Sequence, residues 1–275
     1  MLLLIPAIAG CGSGSSTGVQ APTIGAAKTF QLAGFQPSAA AHPGTPTKVA
    51  FVIKQPSGQV LTQYKRGAGP HTGIHLIIVR SDLATIIHKH PPVTASGHFS
   101  QTVTFPAPGR YRVIVDAYPN LAGTQPNFQL FRWITVPGAY KAQRLPAFHP
   151  TVVTAGYKFT IAHVPNLKAL QPAFINIRVT TPSGGKAVFQ PWYGALAHAI
   201  FFRQGSLDYF HTHVCGAGAA NCTSALGGSR ISGTSTTPGN LRVGVLVPVP
   251  GTWRLFLQCQ VGGKILTAPF TLKVS

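Results

Sequence analysis

From residue 27 to the C-terminus the apolar residues come in short runs of about 5–8, each closed by Gly, Pro, Ser or Asn. In the first half this punctuation predicts strands over 27–33, 47–54, 59–64, 73–80, 84–90, 98–104, 110–117 and 128–136. Val, Ile, Phe and Thr fill these runs, and Tyr111, Val113 and Val115 fall two apart, as on one face of an antiparallel strand. Seven or eight such strands make a β-sandwich of immunoglobulin-like type.

The pattern then repeats. Phe30-Gln31-Leu32-Ala33 corresponds to Phe159-Thr160-Ile161-Ala162, and Pro56-Ser57-Gly58 to Pro182-Ser183-Gly184. HLIIVRSDLATIIHKH (75–90) aligns without a gap on HAIFFRQGSLDYFHTH (198–213), and Pro108-Gly109-Arg110-Tyr111-Arg112 on Pro250-Gly251-Thr252-Trp253-Arg254. The order is kept throughout, with a 19-residue insertion after His213 in the second copy. A collinear repeat of this length is a duplicated structural unit. The fold class predicted is all-β, as two tandem antiparallel immunoglobulin-like β-sandwich domains. Their expected bounds are 28–138 and 150–275, with 139–149 as a linker that lacks alternation. Trp133, Trp192 and Trp253 are expected in core or interface packing.

Composition narrows the chemistry. The chain has 22 Lys+Arg against 3 Asp+Glu, a net charge of +19, and its only acids are Asp82, Asp116 and Asp208. So few carboxylates exclude paired-carboxylate glycosidases, EF-hands and two-metal phosphoryl-transfer sites. There is no nucleophile elbow and almost no carboxylate to orient a base, so the expectation is that the chain is not an enzyme. The cations are dispersed and carry no nucleic-acid motif, so no nucleic-acid partner is expected. A basic surface suits an anionic wall polymer or lipid headgroups.

The candidate chemistry lies in the histidines. Six of eleven sit at equivalent places, His75, His88 and His90 in the first unit and His198, His211 and His213 in the second. Both copies read H-x4-R-x7-H-x-H, with Arg80 and Arg203 at the shared Arg. Residues two apart on a strand share a face, and a turn at Ser81-Asp82-Leu83 returns the chain as a hairpin. Pairing Val79 with Ala84 sets His75 opposite His88, whereas a slide by two sets it opposite His90. Either register gathers three imidazoles on one face. The expectation is one divalent ion per unit, copper favoured over zinc, with water or another ligand completing the shell. The competing readings are a hydrogen-bonded structural His cluster and a pH-responsive polar face. His71 and His98 are further candidates near the first site, and Cys215 is a candidate fourth ligand in the second.

The termini and cysteines bear on compartment. MLLLIPAIA leads through Gly10 into Cys11, which resembles the bacterial lipobox in which the cysteine is lipidated after cleavage. Residues 12–27 are Gly/Ser-rich and suit a flexible tether. The expected location is the extracytoplasmic face of the cell membrane, anchored by lipid at Cys11. In that compartment Cys215 and Cys222 are expected to close a disulfide, and Cys259, on the strand face of Trp253, Leu255 and Leu257, to be a buried free thiol.

The repeated motif resembles that of exported bacterial proteins common in actinobacteria and similar high-GC lineages. They carry small β-sandwich domains with an H-L…R…D-L…H-x-H-P motif and a later P-G-x-Y/W-R. The first unit keeps His75-Leu76, Arg80, Asp82-Leu83, His88, His90-Pro91 and Pro108-Gly109, and the second keeps His198, Arg203, Leu207-Asp208, His211 and His213. Val214 stands where the motif has Pro. The resemblance implies tandem sandwiches on a lipoprotein and a role near copper or heavy-metal handling. Two functions follow as expectations. The first is sequestration or transfer of a metal ion. The second is a structural or adhesive envelope module whose basic surface meets anionic polymer or headgroups.

Overall fold

The structure, a computed structural model, describes residues 29–37, 41–65, 73–122, 127–217, 225–226 and 229–275. The lipobox, Cys11, the tether at 12–27, His71 and Cys222 lie outside these residues. The described residues contain strands and no helix. In the first unit these are β1 (Gln31–Gln36), β2 (Pro46–Lys54), β3 (Ile74–Arg80), β4 (Ile86–Lys89), β5 (His98–Thr104), β6 (Gly109–Ala117) and β7 (Phe128–Val136). They form two sheets, β1-β2-β5 and β4-β3-β6-β7. The strand expected over 59–64 does not form. That segment makes only single bridges, Lys54 with Val60 and Tyr64 with Pro119.

The second unit contains β8 (Thr151–Thr154), β9 (Tyr157–Ile161), β10 (Ala173–Thr180), β11 (Phe189–Gln190), β12 (Ala197–Arg203) and β13 (Tyr209–Gly216). Then come the short β14 (Ala225–Leu226), β15 (Ser229–Arg230) and β16 (Gly233–Ser235), followed by β17 (Asn240–Val245), β18 (Gly251–Val261) and β19 (Lys264–Val274). The order β13-β12-β18-β19 repeats β4-β3-β6-β7, and β9-β10-β17 repeats β1-β2-β5. Besides the added strands β8, β11, β14 and β15, one difference in pairing separates the copies. In the second, β16 pairs in parallel with β13 and antiparallel with β17, joining the two sheets into one sheet of ten strands. That strand follows directly on the insertion after His213, at the place where the first unit makes only the single bridge of Val93 with Phe99, so the fold departs there from a purely antiparallel sandwich.

Each unit has its own core. Leu76, Ile78, Val113 and Val115 pack inside the first, and Ala199, Phe201, Leu255 and Leu257 inside the second. β3 and β12 are buried on both faces, which is why their sequences read as continuous apolar runs with no polar alternation. Their other faces meet each other. Ile77, Val79, Leu83 and Ile114 of the first unit form one cluster with Ile200, Phe202, Leu207, Tyr209 and Phe256 of the second. The two units are therefore welded sheet to sheet by an apolar patch. Arg112 adds to this contact, donating to the carbonyls of Ser206 and Leu207 at 2.9 and 3.3 Å.

The repeated Arg and Pro-Gly are one device. Arg203 Nε donates to the Pro250 carbonyl at 2.9 Å, and Arg80 Nη1 approaches that of Pro108 at 3.5 Å. Gly109 and Gly251 hold φ of 137° and 138°, and a Cβ at Gly251 would come within 2.9 Å of Arg203 Nε. The glycine thus accommodates the turn and leaves room for the guanidinium. Arg80 also forms a forked pair with Asp82, whose other partners include the backbone N–H of Gln143 in the segment between β7 and β8. Trp253 is fully buried in the core, while Trp133 stands 41% exposed beneath the guanidinium of Arg110, outside both the core and the inter-unit patch, the two placements expected for it.

Candidate metal centre

The histidines lie on the faces of β3, β4, β12 and β13 that meet between the units, with His90 one residue past the end of β4. In the first hairpin Leu76 pairs with Lys89 and Ile77 with His88, so the register continues to His75 opposite His90. This is the slid register of the two expected. In the second, His198 pairs directly with His213. The same alternation that sends Ile77 and Val79 to the apolar patch sends His75 to its polar end, and likewise Ile200, Phe202 and His198.

The six imidazoles form one cluster, and this corrects the expected arrangement of one three-histidine site in each unit. All six are between 0% and 7% exposed. The ring of His75 is 4.4 Å from that of His90 in its own unit and 4.6 Å from that of His211 in the other, centre to centre. Among the described residues two groups of three converge closely enough to hold an ion, and both cross between the units. They are His75 with His211 and His213, and His88 with His198 and His211, with ligand atoms within 4.8 Å of one another. Facing sheets rather than single hairpins bring these sets together, because both units turn the same face to the contact. His90 belongs to neither group. It stacks flat on Tyr193 at 3.8 Å and lies 3.0 Å, Nε2 to Nε2, from His88. His98 is exposed against Ser96, away from the cluster, and Cys215 is buried and in neither group.

Surrounding groups orient the rings. His88 Nδ1 lies 3.1 Å from Gln258 Oε1, an acceptor, so Nδ1 carries the proton and Nε2 is left with its lone pair. His198 Nε2 lies 2.9 Å from the Trp192 carbonyl, which leaves Nδ1 as the acceptor, 3.3 Å from His211 Nε2. Such outer partners set the tautomer and aim of a ligand imidazole. Asp116 is the buried carboxylate beside His75, 3.6 Å from its Nδ1, and also accepts from Tyr209 and Asn127. Burial and then this carboxylate hold the Tyr118 and Tyr209 hydroxyls well above their ordinary pKa, so both stay protonated.

His211, common to both groups, is the most constrained of the six. Its Nδ1 is buried with no hydrogen-bond partner. Burial first, then the neighbouring His213, His75, His88 and His198, pushes its pKa well below the ordinary value. A neutral imidazole with an orphaned nitrogen is the form a metal ion takes, so the donor set fits a metal. The same shift has a consequence without metal. The unfolded chain takes up a proton on this residue near pH 6.5, about the unperturbed value, and the folded chain only at lower pH. The stability His211 allows is complete above about pH 6.5 and is lost as the pH falls from there towards the folded value. In metal-free melts the decline below pH 6.5 should be shallower in His211→Gln than in the native chain, by up to about 1.4 kcal/mol per pH unit. Equal slopes would show that His211 does not titrate differently on folding.

Trp192, Tyr193, Gln258 and Asp116 are the site residues that the motif alone did not reveal. Trp192 sits edge-on to both His88 and His198, a wall of the cluster rather than general packing. Asp116 is 26 residues from the nearest repeated histidine in sequence, and only the β3–β6 pairing sets it opposite His75. Cys259 is a buried free thiol on the far side of β18 from Gln258, its pKa pushed up to about 12 by burial.

Comparison with known proteins bears on fold and family. No curated protein matches the chain. Solved structures similar to it include a tetra-tandem repeat from the extending region of a large adhesion protein, 11% identical over 90% of this chain with a TM-score of 0.26. They also include titin domains z1z2 in complex with telethonin, 14% identical over 90% of this chain and 96% of that one, TM-score 0.22. Domains 5–6 of the S-layer protein SbsC are 11% identical over 90% and 98% of the two chains, TM-score 0.23. This chain covers 48% of the adhesion-protein structure, so the likeness spans about half of it. Likeness of this degree carries no argument about function. The family model is a different matter, because it matches residues 29–130 and 151–275, most of both units. The chain belongs to the family described as a domain of unknown function, DUF8832.

Proposed function

We propose that this chain is an extracytoplasmic metal-binding protein, anchored by lipid at Cys11, that sequesters or passes on a divalent ion, copper before zinc. One observation carries the reading: three-imidazole groups, drawn from both units and buried, whose ligand atoms lie within 4.8 Å. An all-imidazole set suits Cu(II) and Zn(II) and not calcium or magnesium, and the affinity order of divalent ions favours copper. A tetrahedral shell at Zn–N distances needs nitrogens about 3.3 Å apart, so the groups would close slightly on the ion. His211 is shared, and one nitrogen serves one ion, so the two groups are neighbouring seats around a common ligand. The role is binding and transfer, not turnover.

Calorimetric titration of Cu(II) and of Zn(II) into protein purified without a histidine tag tests this. Saturation near one ion per chain is expected. Two independent equivalent sites would restore the reading of one ion per unit, and absence of heat with either ion would remove the metal reading.

A structural or adhesive envelope module is the second reading. It is favoured by the +19 charge, since the side chains of Asp82 and Asp116 are buried and only Asp208, 3.8 Å from Arg203, meets a cation near the surface. The lipid anchor and the Cys215–Cys222 disulfide belong to either reading. Mass spectrometry of membrane-extracted protein should find a diacylglyceryl group on Cys11 and, without reduction, a peptide pair joining Cys215 to Cys222. Unmodified residues 1–10 on the mature protein would exclude the anchor.

A further inference from the structure

The outer face of the second unit, away from the histidines, carries an open groove of about 860 Å³. Strands β9, β10, β17 and β16 form its floor, and their register decides what lines it. Asn176, Arg242 and Thr234 lie side by side across three strands. The next row is Thr160, Arg178 and Asn240, and beyond it Lys158 faces Thr180. Alternation directs these side chains outward while Ile175, Ile177 and Leu241 fill the core. The result is a lattice of cations and neutral hydrogen-bonding groups. Cross-strand neighbours stand about 5 Å apart, and rows along a strand about 6.7 Å.

No acid lines this groove. The three carboxylates lie in the β3–β4 turn, on β6 and in the β12–β13 turn. The guanidinium of Arg242 is centred 3.2 Å from the ring centroid of Phe174, which holds it in place at the groove's edge. Guanidiniums bind phosphate and carboxylate by paired N–H donation. The interspersed amides and hydroxyls match sugar or polyol hydroxyls between such charges. Phe174, 41% exposed at the edge, is covered by Arg242, and the lining residues themselves include no exposed large apolar side chain to enter a bilayer, which favours a soluble polymer over a membrane surface.

We infer that this groove binds an anionic glycan or polyol polymer through Lys158, Arg178 and Arg242. The inference rests on the envelope-module reading and is independent of the metal centre. The probes are poly(glycerol phosphate) and polygalacturonate, which separate phosphate from carboxylate, with neutral dextran and phosphatidylglycerol vesicles beside them. The full chain carrying Lys158→Gln, Arg178→Gln and Arg242→Gln should lose affinity for at least one polyanion by about tenfold or more. A second triple variant, Lys54→Gln, Lys141→Gln and Arg144→Gln, removes the same charge from exposed positions elsewhere. It should lose less than about twofold at physiological salt, where exposed charges beyond ~8 Å are screened. Unchanged melting temperatures would show that both variants fold, and Arg178→Gln alone should give part of the loss. Equal losses in the two triples would overturn the groove while leaving a general cationic attraction. Failure of the native chain to bind either polyanion would overturn the groove and the envelope reading together. Binding to the vesicles with none to the polymers would assign the face to lipid and overturn the polymer.

Discussion

Saturating Cu(II) or Zn(II) is expected to raise the stability of the native chain by about 3–4 kcal/mol when free ion is 100 to 1,000 times its Kd. His211→Ala should abolish almost all of that gain, because it removes the residue common to both three-histidine groups. His90→Ala should keep most of it, since His90 stacks on Tyr193 and belongs to neither group. Thermal or urea melts of the three proteins, with and without metal, provide the comparison. Equal gains in all three would mean the ion sits elsewhere. A strong loss of stability in His211→Ala without metal would instead mark the cluster as structural. Acid should weaken the effect, because each ligand imidazole must be neutral to bind.

Phe256→Ala is expected to cost about 3–5 kcal/mol, the usual price of emptying a large, fully buried aromatic site. Phe256 is 1% exposed and lies in the patch that joins the two units, between Ile200, Phe202 and residues of the first sheet. The loss should also loosen the sheet-to-sheet contact, so that one cooperative transition divides into two. Val153→Ala, at a position 62% exposed, should change stability by less than about 0.5 kcal/mol. Denaturant melts followed by near-ultraviolet dichroism will show both effects. A single transition with the native midpoint in Phe256→Ala would mean that this patch contributes little. If the division is seen, metal affinity should fall with it, because the ligand groups need both units.

The positions of the histidines along the chain were legible in the sequence, and so was their sharing of a face. Strand side chains alternate with period two, so His88 and His90 must project together, and a tight turn after Arg80 must bring His75 beside them. The duplication was legible as well, because collinear motifs need no long-range information. What period two leaves open is which side of the strand meets water and which meets another sheet. IHLIIVR and AHAIFFR are buried on both faces, and their unbroken apolar runs signal a second packing partner without naming it. That partner is the other copy of the unit. Only the tertiary structure decided this, since the contact depends on two surfaces some 120 residues apart closing on each other by apolar burial. The same contact turned two expected three-histidine sites into a single six-histidine cluster and placed Trp192 and Gln258 against His88, while the β3–β6 ladder inside the first unit set Asp116 beside His75. It was likewise only the tertiary structure that placed Gly233–Ser235, just past the insertion after His213, beside β13 as β16 and made one sheet of two.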